Sequence, residues 1–155
     1  SLLILHDGLL PLRRPLLHLV LALLELGIER VNRMYPINSV YRANGLIVGG
    51  SDWAVSTMNP LVAIETAIRR SDPDGNIPGV LNENERIELT EILKAYTINT
   101  AYLMHQEDMT GSIETGKFAD LIILEQNLYQ ISADEISEVR VLETMLEGKT
   151  VFKLD

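Results

Sequence analysis

The chain has 155 residues, 46% of them hydrophobic and 23% charged, and this balance is typical of a globular domain and excludes wholesale disorder. Its 22 acidic residues exceed its 13 lysines and arginines, giving a formal net charge of -9, so we expect it to bind neither nucleic acid nor an anionic membrane, whose phosphates it would repel. The absence of cysteine excludes disulfides, thiolate catalysis and cysteine-ligated zinc; it is compatible with either redox compartment, and we expect a cytoplasmic location.

The first 25 residues are rich in leucine and receive no assignment beyond that pattern. Their apolar runs are much shorter than the roughly 18 residues that a membrane-spanning helix requires. Arg13-Arg14 ahead of the longest run is a weak feature of a signal peptide, but no small-residue cleavage site follows. The alternative is an amphipathic helix that begins at Pro15 and ends at Gly27.

The middle of the chain is predicted to alternate helices with a strand. Leu46–Val48 is a short apolar run between Asn44-Gly45 and Gly49-Gly50, which predicts a buried parallel strand. Asn59-Pro60 is a typical helix start, with an N-capping side chain followed by proline. The other predicted elements are a helix at 28–35, a helical turn at 37–42, a loop at 71–79 and a long helix at 85–104.

The last third of the sequence is predicted to be richer in strands. Two apolar segments, 118–124 and 139–146, are interpreted as strands covered on both faces. Glu147-Gly148-Lys149 is predicted to turn the second of them into a hairpin, and Ser132–Glu135 to form a capped helical turn. We therefore place a domain boundary near Met109, between an α/β segment at 1–109 and a β-rich tail at 110–155.

Asp52 is the strongest candidate for a reactive side chain. It follows the predicted strand Leu46–Val48 closely, at the end where α/β and barrel folds place reacting groups, and Gly49-Gly50 let a ligand approach the backbone. A carboxylate there can ligate a metal, and it can carry a proton from an attacking water to a leaving group. The alternative, given how common aspartate is in turns, is that Asp52 only caps a turn or pairs with an arginine.

Several stretches resemble the amidohydrolase superfamily. Gly50-Ser51-Asp52-Trp53, followed by Val55-Ser56 and Asn59-Pro60-Leu61, resembles the last barrel strand and the following loop in the branch of YtcJ-like proteins and N-substituted formamide deformylases. Three further segments agree with the same family, namely its helix after the barrel, its GS-E-GK-AD signature and its closing strands, at residues 95–102, 111–121 and 141–152. The resemblance runs from about residue 26 to residue 153.

The resemblance implies a metal-dependent hydrolase that acts on a carbon–nitrogen bond of a small molecule. It implies that residues 1–109 are part of a (β/α) barrel and that residues 110–155 belong to a small composite sandwich domain. Asp52 matches the family's aspartate after the last barrel strand, which shuttles the proton and can bind the metal, and Trp53 would contact the substrate. The implied cofactor is zinc or another divalent metal in the complete enzyme, whereas this chain alone can be metal-free and is expected to be inactive.

The sequence departs from the family pattern where most of the metal ligands are expected. The His-x-His pair of the first barrel strand is absent, as is most of the barrel, which in full takes about 250 residues. His6-Asp7-Gly8 and the stretch around His18 are faintly similar to histidine strands from the middle of the barrel, yet they are too close together for two intact β/α units. We therefore expect the chain to be the carboxyl-terminal portion of an amidohydrolase.

Two functions remain open at this level. The chain is either part of a hydrolase whose activity resides in the complete enzyme, or a non-catalytic remnant that serves dimerisation or regulation. An incomplete barrel exposes strand edges and an apolar face, so we expect a homo-oligomer if the chain folds by itself.

Overall fold

The computed structural model describes residue 25 and residues 27–155, so the predictions made for His6, for His18 and for a helix beginning at Pro15 lie outside the described residues. Within the described part, α-helices lie at Ile28–Val31 (α1), Ile37–Arg42 (α2), Pro60–Arg69 (α3), Leu89–Ala95 (α4) and Ile98–Leu103 (α5). Strands lie at Leu121–Leu124 (β1), Val141–Leu146 (β2) and Lys149–Lys153 (β3), and short 3₁₀ helices lie at Glu83–Glu85 and Ala133–Glu138. None of the helices in this part of the chain has the length and apolar character needed to cross a membrane.

Helix α3 begins as its sequence predicts, and it ends at a residue in the left-handed conformation. The side chain of Asn59 accepts a hydrogen bond from the Leu61 N–H at 3.0 Å, and Pro60 occupies the first helical position. At the other end, Arg70 adopts the left-handed conformation with a φ of 59°, and its N–H donates to the Thr66 carbonyl at 2.7 Å. The predicted helix start at Asn59-Pro60 is therefore confirmed.

The core lies between α3, α4 and the 3₁₀ helix Ala133–Glu138. Its buried apolar side chains come from these elements and from the segments beside them: Leu61, Ile64, Ala67, Ile87, Ile92, Ala95, Leu128, Ile136 and Val139. Ile47, from the predicted strand, is partly buried and packs against this cluster. Removing this apolar surface from water is the main stabilising contribution to the described fold.

One carboxylate lies inside this core. Glu65 on α3 is fully buried, accepts a hydrogen bond from the Ser137 N–H at 2.8 Å, and pairs with Arg69 one turn later on the same helix. A buried charge is costly unless it is paired and hydrogen-bonded. Because its two partners lie on α3 and on the 3₁₀ helix, Glu65 favours one particular docking of these elements.

The single long helix predicted at 85–104 is wrong, because the segment is divided into shorter pieces. The 3₁₀ helix Glu83–Glu85 comes first, and α4 and α5 are separated by Tyr96-Thr97. Thr97 has a φ of -126° and a ψ of -100°, far from helical values, and its hydroxyl donates to the Leu93 carbonyl at 2.8 Å. A β-branched residue whose hydroxyl competes for a backbone carbonyl disfavours a continuous helix, so the helix stops and restarts here.

Strands β1, β2 and β3 form one antiparallel sheet in that order. Glu147 and Gly148 connect β2 to β3, and their positive φ values of 49° and 75° suit a two-residue hairpin turn, so the predicted hairpin is confirmed. The prediction that both faces are covered is wrong for β1, where Ile122 and Ile123 are 52% and 44% exposed. The physical reason is that the described residues provide no second layer over this strand.

The parallel strand predicted at Leu46–Val48 is not a strand in the structure. A parallel strand needs a neighbour for its backbone hydrogen bonds, and the described sheet is antiparallel and lies elsewhere in the chain. The described residues combine helices with a small sheet, in agreement with the α/β class. The partial barrel and the domain boundary near Met109 stay predictions.

A buried polar cluster joins the α1–α2 region to the chain after α3. Arg70 is 7% exposed and donates to the Leu81 carbonyl at 3.0 Å and to the Met34 carbonyl at 3.3 Å. Glu85 is 8% exposed and accepts hydrogen bonds from the N–H of Ser39, at 2.8 Å, and from its hydroxyl. Burial by itself would raise the pKa of the Glu85 carboxyl, but the bonds from Ser39 and the charge of Arg70 outweigh it and hold that pKa below its usual range.

Glu85→Gln is expected to flatten the dependence of stability on pH in acid. Because the pKa of Glu85 is lower in the folded than in the unfolded chain, its carboxylate contributes stability that is complete above the unfolded value of about 4.3 and is lost as the pH falls through the folded value. Urea unfolding at a series of pH values measures this, with Glu88→Gln at an exposed position as the control. A stability difference between wild type and Glu85→Gln that stays constant below about pH 4.5 would contradict the prediction.

Candidate functional site

Asp52 and Trp53 lie next to each other in an exposed loop at 50–59. Both side chains reach solvent, and Trp53 is 64% exposed. The backbone of Asp52 is left-handed with a φ of 49°, and its carbonyl accepts a hydrogen bond from the Val55 N–H at 2.7 Å, so the residue occupies a tight turn. This position fits the interpretation of Asp52 as a turn residue, and its exposed carboxylate also fits a group that reacts with a ligand.

The loop is tethered on the side that follows Asp52. The Ser56 hydroxyl donates to the Ser51 carbonyl across the turn. The Asn59 N–H donates to the Thr57 hydroxyl at 3.2 Å, immediately before α3 begins. These local bonds restrict the path of the chain between the turn and the helix.

The stretch that leads into the loop is bonded to the junction between α4 and α5. The Gly49 N–H donates to the Ala95 carbonyl at 2.9 Å, and the side-chain amide of Asn99 donates to the Ile47 carbonyl at 2.9 Å. The Thr100 hydroxyl lies 3.3 Å from the Gly49 carbonyl oxygen. The break between the two helices makes the first of these bonds possible, because a continuous helix would use the Ala95 carbonyl for the N–H four residues later.

Gly49 also lies against the ring of Tyr96. A Cβ atom at residue 49 would come within 2.6 Å of that ring, so only glycine fits this close approach. Burial raises the pKa of the Tyr96 hydroxyl. Residues 47–49, called the approach segment below, are therefore held by one backbone hydrogen bond, by one side-chain amide and by an aromatic ring.

Sequence reasoning names neither Asn99 nor Tyr96 as a site residue. No local pattern marks an asparagine that bonds to a carbonyl 52 positions earlier in the chain. The sequence offers only an indirect signal. Residues 95–102 and Gly50–Trp53 both match the same family, and this could have suggested that the two segments are in contact.

The GS-E-GK-AD signature forms a turn that its own side chains close. Lys117 donates to the Ser112 hydroxyl at 2.6 Å and lies 3.3 Å from a carboxylate oxygen of Glu114. The hydrogen bond from Ser112 and the pairing with Lys117 hold the pKa of Glu114 below its usual range. Asp120 accepts a hydrogen bond from the Glu147 N–H at 2.8 Å, which ties the signature to the hairpin. These polar groups form hydrogen bonds and an ion pair within the protein, so the signature stabilises the fold.

A cavity of about 580 Å³ lies beside α5. It is lined by Leu46, Ile98, Asn99, Tyr102, Glu107 and Lys117. The Oε2 atom of Glu107 is buried and has no hydrogen-bond partner among the described residues. Because buried polar atoms are normally satisfied, we expect a water or a donor from another polypeptide segment at this oxygen. Asp52 and Trp53 do not line this cavity, so it is separate from the predicted site residues.

The described residues do not form a metal site. Across residue 25 and residues 27–155, no three histidine, cysteine, aspartate or glutamate side chains come together in a group that could hold a metal ion. A protein zinc site takes three or four such ligands. The donor set of the described part therefore does not fit, by itself, the metal that the family resemblance implies.

Comparison with known proteins identifies relatives over most of the chain, and residues 3–152 match the amidohydrolase family. The protein LONG AFTER FAR-RED 3 of Arabidopsis thaliana is 36% identical over 129 residues, which are 83% of this chain and 22% of that protein. YtcJ of Bacillus subtilis is 27% identical over 130 residues, which are 83% of this chain and 24% of that protein. The N-substituted formamide deformylase of Arthrobacter pascens is 30% identical over 116 residues, which are 75% of this chain and 21% of that protein. The resemblance to the YtcJ-like and deformylase branch is thereby confirmed.

A solved structure shares the fold. The crystal structure of an amidohydrolase from Thermotoga maritima MSB8 superposes with a TM-score of 0.57 at 22% sequence identity, covering 76% of this chain and 26% of that chain. At this level of identity the likeness shows the fold alone, and it supports the α/β class. The chain spans about a fifth to a quarter of the length of the curated relatives it matches.

Proposed function

The chain belongs to the amidohydrolase family, and on that basis we propose that it is the carboxyl-terminal part of a hydrolase that acts on non-peptide carbon–nitrogen bonds of small molecules. The observation that carries this proposal is the match of residues 3–152, nearly the whole chain, to the family. One of its relatives is named for the deformylation of N-substituted formamides, which contain such a bond. Because the chain spans 21% to 24% of the length of these relatives, the activity is assigned to a complete enzyme.

In this proposal Asp52 moves the proton. Its carboxylate takes a proton from the attacking water and delivers it to the leaving nitrogen, which is a general acid–base role. The exposure of the side chain supports this role, because a ligand can reach the carboxylate. The resemblance also assigns Asp52 as a ligand of zinc or another divalent cation; since the described residues form no metal site, the other ligands have to come from elsewhere in the complete enzyme.

Trp53 is proposed to contact the substrate. It is adjacent to Asp52 in the loop and is 64% exposed, so its indole offers a large apolar surface next to the reacting carboxylate. A substrate with an apolar or aromatic substituent on the nitrogen would pack against it.

The proposal places the chain within a larger architecture. Residues 1–109 would contribute the last part of a (β/α) barrel, whose other strands would give residues 46–48 their parallel neighbours. Residues 110–155 would contribute to a composite sandwich domain. We also propose a cytoplasmic location, which a sequence without cysteine permits.

A second candidate function, self-association without catalysis, is favoured by exposed apolar side chains. Those more than half exposed include Val55, Tyr102, Leu103, Ile113 and Phe118. Apolar surface of this kind is stabilised when another protein surface covers it. We propose that a second copy of the chain covers it when the remainder of the enzyme is missing, which would give a homo-oligomer.

A chimera with the Arthrobacter pascens deformylase tests the proposed activity. The 116 residues of this chain that align to the deformylase would replace the corresponding stretch of that enzyme. We expect the folded chimera to turn over an N-substituted formamide, with folding checked by circular dichroism and zinc content by atomic absorption. A folded, zinc-loaded chimera without turnover would contradict the proposal. A stable dimer of the chain, measured by sedimentation, would then favour the second candidate.

A further inference from the structure

We propose that Asn99 is a positioning residue for Asp52: by holding the approach segment against α5, it sets where the loop that carries Asp52 begins. The inference rests on the proposed function, since it concerns the same aspartate. It goes beyond that function because it assigns a role to Asn99 on α5, a helix that contributes no reacting group.

The contacts of the approach segment connect both of its ends to the α4–α5 junction. Its amide nitrogen donates to the Ile47 carbonyl at 2.9 Å, and the Gly49 N–H donates to the Ala95 carbonyl at 2.9 Å. The α4–α5 junction therefore satisfies the carbonyl of the first residue and the N–H of the last residue of the approach segment, and Asn99 supplies the side-chain part of this contact.

Two neighbours of Asn99 support the same contact. The Thr100 hydroxyl donates to the Ala95 carbonyl at 2.7 Å, which orients the acceptor that Gly49 uses. The Tyr96 ring closes on the Gly49 backbone with no room for a Cβ atom. The approach segment is thus fixed in direction by hydrogen bonds and in distance by the ring, and the Asn99 bond is the one that joins its first residue to α5.

The fixed segment is close enough to Asp52 to determine its position. Only Gly50 and Ser51 separate Gly49 from Asp52, and the Ser56 hydroxyl holds the Ser51 carbonyl. A displacement at Gly49 is therefore passed on to the turn instead of being absorbed in a long linker. A misplacement of about 1 Å in a reacting group can cost on the order of 100-fold in rate.

Asn99→Leu in the full chain tests the contact directly, because leucine has a similar shape and lacks the amide donor. We expect the amide hydrogen of Gly49 to exchange about fivefold faster by NMR, which corresponds to the loss of one ordinary hydrogen bond. Fluorescence anisotropy of Trp53, the only tryptophan in the sequence, should fall as the loop gains freedom. The matched control is Asn38→Leu, which removes a side-chain amide that donates to a distant backbone carbonyl, that of Asn84, away from the approach segment, and should leave both readouts unchanged.

The deformylase chimera supplies the catalytic readout. Asn99→Leu is expected to lower kcat by about tenfold or more with KM unchanged, since positioning the proton carrier affects the transition state and not ground-state binding. A purely structural residue would lower the melting temperature and the amount of active enzyme, leaving kcat per folded molecule unchanged. The Asn38→Leu chimera should keep the kcat of the unsubstituted chimera.

The outcomes separate this inference from the proposed function. Unchanged Gly49 exchange in folded Asn99→Leu, or unchanged kcat in its active chimera, would overturn the positioning role and leave the hydrolase proposal standing. Full turnover in an Asp52→Asn chimera would overturn the hydrolase role of Asp52, whatever the exchange data show. If Asn99→Leu does not fold, the wild-type chain decides: a Gly49 amide that exchanges at the rate of an unprotected amide overturns the inference.

Discussion

Asp52→Asn in the deformylase chimera is expected to lower kcat by about 10² to 10⁴-fold, the usual contribution of a general acid–base group. Asparagine has nearly the same shape as aspartate and tolerates the left-handed conformation, which Asp52 adopts with a φ of 49°. The bond that closes the turn uses the backbone carbonyl of Asp52 and the Val55 N–H, so the substitution leaves it intact. The expected loss is therefore chemical, because an amide cannot take up and release the proton.

Steady-state kinetics of the unsubstituted and Asp52→Asn chimeras would measure this effect. Asp74→Asn, in the exposed loop at 71–79, makes the same chemical change away from the site and should keep the unsubstituted rate. Equal kcat values for the two variants would contradict a proton-transfer role for Asp52.

Arg69→Met is expected to lower the free energy of unfolding by about 3 to 5 kcal/mol, because it leaves the buried Glu65 carboxylate without its cation. Glu65→Gln should cost less: glutamine still offers an oxygen to the Ser137 N–H, and Arg69, with 29% of its side chain exposed, can turn to water. The double variant should be more stable than Arg69→Met alone, because the second substitution removes the uncompensated charge.

Urea unfolding at neutral pH gives the three free energies and their coupling. Arg33→Met is the matched control, since Arg33 and Glu29 form an ion pair with the same four-residue spacing but with both side chains largely exposed. That variant should unfold at the wild-type midpoint. A double variant less stable than Arg69→Met would show that the Glu65 carboxylate is not the source of the penalty.

Elements with strong local signals are predicted correctly from the sequence. Helix α3 starts at Asn59-Pro60 because the capping side chain and the proline act within three residues of each other. The β2–β3 hairpin follows from Glu147-Gly148, since a turn with two positive φ values needs little besides its own residues. The position of Asp52 and Trp53 in one loop likewise follows from the short motif that contains them.

Features that depend on distant contacts are missed. The Asn99 contact depends on a segment about 50 positions earlier, which no local pattern reveals. Glu65 is buried and bonded to Ser137, 72 positions later, and it is not among the residues singled out from the sequence. The exposure of Ile122 has the same origin, since an apolar strand is buried only when another layer covers it.

The bond between Asn99 and Ile47 has a consequence for how the protein is made. Its two partners are 52 residues apart, so at translation rates of about 5 to 20 residues per second the ribosome completes Asn99 roughly 3 to 10 seconds after Ile47. During that interval the apolar stretch that contains Ile47 has been synthesised, but helix α5, which later restrains it, has not. Chaperones that act on nascent chains would bind the apolar stretch during this interval. Synonymous codons between the two positions would change the length of the interval.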